Sequence, residues 1–189
     1  MTQFEFTVVL DRVPKNDEYD LLFEVGLDDT TPETRDGRCV LNVNRKAQSL
    51  DAAIASVVKD VQQAGFKAVG IEEEDLVSLR TIAQRMGRTY ESVRLLASGK
   101  RGPGGFPAPL SGDGWALYSW VKVSEWFHAN YGVEPSTTND ERVLAATDHL
   151  LRARELVGSE EILILVTLLA IEAVKKEKKQ GKDRKKFLV

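Results

Sequence analysis

The chain has 189 residues, 42% of them hydrophobic, enough for one large or two small domains with a true core. Its net charge of −3 argues, on average, against a polyanion partner, but the average hides an asymmetry: −8 over residues 1–77, +4 over 78–131 and +1 over 132–189. The single cysteine, Cys39, excludes an internal disulfide and suits a reducing, cytoplasmic setting.

Residues 1–75 are expected to form a small β-α-β-α-β domain. Phe4, Phe6, Val8 and Leu10 alternate with polar residues, the period of a half-buried strand, and Pro14 ends the run. The first ten residues, with Glu5 among them, do not read as a secretory leader. Glu18 to Val25 is a short helix with Gly26 as its stop. Asp28 to Gly37 is polar and reads as a loop, and Arg38 to Asn44 as a second strand in which Cys39 is a small buried hydrophobe. Ser49 is the expected cap of an amphipathic helix with Leu50, Ala53, Ile54, Val57, Val58 and Val61 on one face and Gly65 at its end. Phe66 to Ile71 is the third strand.

Residues 79–98 read as a helix-turn-helix. Ala83 is small where two helices must meet, Gly87 supplies the turn, and Val93 locks the second helix onto the first, with Ile82, Met86 and Leu96 completing the seam. Ser78 and Thr89 are the expected caps. Thr89, Tyr90, Glu91, Arg94 and Leu95 face away, a set suited to the major groove of duplex DNA. Arg94 has the donor fork for guanine. Tyr90 offers contact to a thymine methyl or a phosphate. Glu91 accepts from cytosine or repels wrong sites. The plainer reading of each is a solvated helix face. Gly99 to Pro109 is rich in glycine and proline and can be neither helix nor central strand; Lys100 and Arg101 at its base are placed to meet phosphates. A strand from Trp115 to Trp120 and a helix bearing Val121, Val123, Trp126 and Phe127 follow, with the tryptophans as core anchors.

The stretches GRTYESVRLLASGKRGPGGFPAPL and YSWVKVSEWF resemble the winged helix-turn-helix proteins related to excisionases and MerR-type regulators. They also resemble small bacterial helix-turn-helix proteins with an α/β extension ahead of the head. The resemblance covers residues 76–131. It implies a recognition helix over 89–98 and a wing over 99–115, with Arg88, Tyr90, Glu91, Ser92 and Arg94 near DNA and Lys100 and Arg101 in the wing. No effector domain or long antiparallel dimer helix of the MerR kind follows.

After a polar linker, Thr138 and Glu141 match a capping box. Val143, Ala146, Leu150, Ala153 and Val157 step by three and four, as for packing on another helix. Gly158 breaks that helix. Ile162 to Val174 is apolar on nearly every side and must be covered; at 13 residues it is too short to span a membrane, and its β-branched content leaves a strand reading open. A helical hairpin over 137–177 then closes the core or forms a two-fold dimer contact. The tail from 178 is basic; it adds phosphate affinity or serves as a solubilising end.

The fold class is thus α+β, with a small α/β domain, a winged helix-turn-helix and a C-terminal hairpin. The expected function is sequence-specific binding of double-stranded DNA by a homodimer in the cytoplasm, on the nucleoid when bound. The alternative is an antitoxin-like or adaptor protein that binds a protein partner through the acidic domain or the C-terminal helices. Asp28-Asp29 and Glu72 to Asp75 read as solvated carboxylates, Gly102 to Gly105 lacks the residues of a phosphate cradle, and no nucleophile triad, metal-ligand spacing or cofactor motif points to an enzyme.

Overall fold

The computed structural model describes residues 1–72, 75–111, 116–134 and 137–171. Four strands form one antiparallel sheet: β1 (Thr2–Leu10), β2 (Thr30–Arg35), β3 (Arg38–Ala47) and β4 (Ala68–Ile71), in the order β2-β3-β1-β4. Helix α1 (Tyr19–Glu24) links β1 to β2, and α2 (Leu50–Gln63) links β3 to β4. The chain order is therefore β-α-β-β-α-β. With every neighbour antiparallel, this is the strand order of the split β-α-β arrangement. The loop expected over 28–37 is in fact mostly strand. Asp36 and Gly37 both take positive φ, 49° and 75°, and close a two-residue hairpin between β2 and β3. Strand β2 carries no apolar alternation because it is an exposed edge, with Pro32 tolerated there.

Alternation along β1 and β3 is in register: Phe6 lies opposite Val43 and Val8 opposite Leu41. Leu50, Ala53, Ile54, Val57 and Val61 of α2 are buried, and α2 packs on β3 and β4. Cys39 is buried, and burial pushes its thiol pKa up, as for a packing residue rather than a nucleophile. Ser49 occupies the N-cap position of α2, but its hydroxyl makes no capping bond.

Helices α1 and α2 end in the same way. Gly26 bonds back to Phe23 and Leu27 to Leu22; Gly65 bonds to Gln62 and Phe66 to Val61. Each is a Schellman pair with glycine at positive φ, which satisfies carbonyls the helix leaves open and turns an apolar residue inward.

The second part of the fold holds β5 (Leu76–Ser78), α3 (Leu79–Arg85), α4 (Tyr90–Ala97), β6 (Leu117–Ser119) and α5 (Trp120–Tyr131). Strands β5 and β6 pair antiparallel, so the chain before α3 meets the chain after the Gly/Pro loop. The core holds the expected Ile82, Ala83, Val93, Leu96, Trp120, Val123, Trp126 and Phe127, with Met86 partly buried against them; Val77 and Tyr118 of the paired strands join it, and Val121 is only half-buried. Trp115 lies outside the described residues.

Asp75 corrects the reading of the 72–75 carboxylates as solvated. It is 5% exposed. Its carboxylate accepts from the Ser119 hydroxyl at 3.0 Å and the Val121 amide at 2.8 Å. A negative charge at the start of α5 meets the orphan amides and the positive end of the helix. Glu73 and Glu74 lie outside the described residues.

The chain divides into two compact units, residues 1–148 and 149–189. Helix α6 (Asn139–Val157) crosses the boundary and begins with the expected capping box between Thr138 and Glu141. Its buried face is not the expected one. Ala145, Asp148 and Leu151 are buried, whereas Ala146, Leu150 and Val157 are exposed. The Asp148 carboxylate accepts the Ile71 amide at 3.0 Å. Ile71 lies on β4, an edge strand whose outward amide has no strand partner, and satisfying that buried donor sets which side of α6 turns inward.

In the second unit Gly158, at φ 89°, separates α6 from a further helix, α7, described over 159–171. The segment is helical, not a strand. Of the two expected ways to cover it, closure of the core within the chain is not seen among the described residues: Leu163, Leu168 and Leu169 are 67%, 57% and 70% exposed. The single residue at the break is shorter than the loops that join packed antiparallel helices. The basic tail from 178 lies outside the described residues. Among the described residues no helix is long and apolar enough to cross a membrane.

Candidate nucleic-acid interface

Helices α3 and α4 are held by their caps and by the turn between them. The Ser78 hydroxyl accepts the Thr81 amide and the Thr89 hydroxyl the Ser92 amide, both at 3.2 Å. Gly87 at φ 60° bonds to Gln84, and Arg88 to Ala83, another Schellman closure. Val93 and Leu96 anchor one side of α4, at 0% and 2% exposure. The opposite side then stands in solvent by the helical period alone: Thr89, Tyr90, Glu91 and Arg94 are exposed, and Ser92 and Leu95 are half-buried.

Arg94 and Glu91 form a two-pronged pair one turn apart, with N–O distances of 2.6 and 2.8 Å. Hydrogen bonding to Arg94 holds the Glu91 carboxyl below its usual pKa, and the same bond raises that of Arg94. Both side chains are exposed, so the pair is open to exchange with solvent or a ligand. Tyr90 lies beneath the guanidinium of Arg80, 5.7 Å from ring centre to charge.

Arg88 sits differently. Its guanidinium is 4.6 Å from the Tyr131 ring and 5.2 Å from the Phe127 ring, and the residue is half-buried. It joins the helical turn to α5 by cation–π contact. The family resemblance grouped it with Arg94; the aromatic rings that claim it lie some forty positions away.

The Gly/Pro loop starts at the end of α4, where Gly99 bonds to Leu96 and Lys100 and Arg101 both donate to the Leu95 carbonyl. It then folds back on α5. The Trp126 indole donates to the Gly104 carbonyl at 3.0 Å. Phe106 makes edge-on contacts with Trp126 at 4.9 Å and Tyr118 at 5.8 Å. Gly102 has φ 86°, and a Cβ there would lie 2.6 Å from a Leu96 methyl and 3.0 Å from the Tyr131 hydroxyl. These contacts fall on the buried side of α4. The loop therefore leaves Tyr90, Glu91 and Arg94 uncovered, with Lys100 and Arg101 exposed beside them. Residues 112–115, the far end of the expected wing, lie outside the described residues.

Sequence reasoning did not find the anchors of this loop, Phe106 and Gly102. Their signal was an aromatic inside a glycine-proline run, and a glycine six residues past Leu96.

No protein-family model matches the chain, and no curated protein or solved structure is significantly similar to it.

Proposed function

We propose that this protein binds double-stranded DNA, with α4 in the major groove and the loop from Gly99 as a wing on the adjacent backbone. The observation that carries this reading is the outward side of α4: Tyr90, Glu91 and Arg94 stand exposed on a helix whose other side is fixed in a core, beside the exposed cations Lys100 and Arg101. The local charge of +4 over residues 78–131 supplies phosphate attraction. Arg94 is the base-reading residue, and Glu91 holds its guanidinium in place until guanine competes for it. Thr89 and Ser92, at the start of α4, lie where a phosphate would meet the helix N-terminus. Arg88 acts by holding the turn against α5.

The alternative, a protein-binding module working through its acidic domain, has less support. Asp29 and Asp60 are held by Arg45, Glu18 by Arg12, and Glu33 and Glu72 by Arg35. These five carboxylates are engaged within the domain, which lowers the charge they offer a basic partner.

Selection of bound duplexes from a random pool, followed by anisotropy titration at several salt concentrations, tests the reading. The expected result is an enriched motif and an affinity that falls steeply with salt. Arg94→Ala is expected to relax one base pair by ~1–3 kcal/mol, and Lys100→Ala to weaken all sequences alike and lower the salt slope by about 1. Binding with no motif and no salt dependence would overturn it.

A further inference from the structure

The outward side of α4 holds few groups with bonding capacity to spare. The Thr89 hydroxyl accepts the Ser92 amide, and the Ser98 hydroxyl, just past the helix, donates to the Leu95 carbonyl. The Tyr90 ring lies under the Arg80 guanidinium. The helix itself contains no asparagine or glutamine, the side chains whose amide matches the edge of adenine. What remains is the pair of Glu91 and Arg94, both exposed.

That pair is a donor fork laid against an acceptor fork. Arg94 Nε meets Glu91 Oε2 at 2.8 Å, and Nη2 meets Oε1 at 2.6 Å. These bonds use one edge of the guanidinium; among the described residues nothing is bonded to Nη1, and Nη2 keeps a second hydrogen. Each carboxylate oxygen likewise keeps a lone pair. Hydrogen bonding to Arg94, and then the nearby charge of Lys100, hold the Glu91 pKa down, so the group stays ionised and can only accept.

In the major groove a G·C pair presents two adjacent acceptors, N7 and O6 of guanine, and beside them one donor, the N4 amino group of cytosine. A guanidinium and a carboxylate standing side by side are complementary to that row. An A·T pair sets its one donor, the adenine amino group, between two acceptors, which leaves the guanidinium fork only one acceptor at a time.

We infer that Glu91 and Arg94 act as one reading unit for a single G·C base pair, Arg94 on guanine and Glu91 on cytosine, so that the duplexes this protein selects carry G·C beneath α4. This rests on the DNA reading above and adds to it a base pair and a second reader.

The test takes duplexes selected by the full chain and replaces each base pair in turn, with binding followed by anisotropy. One position is expected where A·T in place of G·C lowers affinity roughly tenfold or more. Inosine·cytosine at that position keeps the major-groove atoms and is expected to bind as G·C does, whereas 7-deazaguanine, which lacks the N7 acceptor, is expected to lose most of the preference. Arg94→Ala is expected to reduce the G·C preference there, and adding Glu91→Ala to abolish what is left. Both side chains are exposed, so neither substitution touches the core. Were Glu91 only a support for Arg94, the second substitution would change nothing, and that result overturns the inference. So does a selected motif with no G·C pair that responds to Arg94→Ala; the DNA reading then stands without it. If no motif is selected and binding ignores salt, both fall.

Discussion

The four-stranded sheet domain and the β5-to-α5 region are of similar build, each a small core closed by antiparallel strands, yet they handle charge in opposite ways. In the sheet domain Arg12, Arg35 and Arg45 are tied to acids of the same domain. Arg45 is the extreme case: it donates to Asp29, Asp60, Ser56 and the Gly26 carbonyl, and its side chain is 11% exposed. Asp29, whose carboxylate it grips two-pronged, and Asp60 raise the Arg45 pKa. In the second region the guanidinium groups of Arg80, Arg85 and Arg88 lie over aromatic rings, and among the described residues no ion pair engages Lys100 or Arg101. A cation over a ring keeps its full positive charge toward solvent, whereas one between two carboxylates does not. The contrast explains how a chain of net charge −3 can present a basic surface.

The largest test of this contrast removes the ring that both the core and a cation use. Phe127→Ala, at a fully buried position, is expected to cost about 4 kcal/mol in urea unfolding and to loosen Arg88, whereas Tyr131→Ala should loosen Arg88 with a smaller loss. Next, Arg45→Ala leaves Asp29 and Asp60 facing each other with no cation and is expected to cost about 3 kcal/mol. Arg45→Lys should recover only part of this, because one ammonium cannot reproduce the fork. If Arg45→Ala were neutral, the sheet domain would not depend on its paired charges and the contrast would fail.

Gly102→Ala sharpens the second half. Its positive φ and the approach to Leu96 make a loss of about 2 kcal/mol the expected result. DNA affinity should fall with it if the loop is a wing, and stay unchanged if the loop only closes the core.

The smallest effect is in pH. Glu18 is held at about 2 by hydrogen bonding to Arg12, then by the Lys15 amide. A depressed carboxyl stabilises the fold above its unfolded pKa of about 4.3, and that contribution is lost as pH falls through about 2. NMR titration of the Glu18 carboxyl should place its midpoint near 2, moving up toward 4.5 in Arg12→Ala. A midpoint unmoved by the substitution would mean that the exposed pair does not persist in water.

Much of the head was legible in the chain, because its determinants are local. Caps at Ser78 and Thr89, the turn at Gly87 and the apolar spacing of Ile82, Ala83, Val93 and Leu96 all lie within twenty residues and obey one period. The hairpin at Asp36-Gly37 was not read, although aspartate-glycine is a strong turn signal. It was missed because β2 buries nothing and so shows no alternation. The exposed side of α4 followed from its buried side, but whether the loop would cover it did not follow, because Gly102 and Phe106 are fixed by residues of α5 that come later.

By itself, then, the sequence determined most of the helices and strands, though not β2 or the start of α5 at Trp120, and which side of α2 and α4 is apolar, since those depend on neighbours a few residues away. Only the tertiary structure decided which side of α6 turns inward, that Asp75 is buried, and that Arg88 serves α5 while Arg94 stays exposed. Each of those turns on a polar group finding its partner across 40 or more positions, Asp75 with Val121 and Ile71 with Asp148 among them. A buried donor or acceptor must be satisfied by whatever the fold brings near, and no local period encodes that.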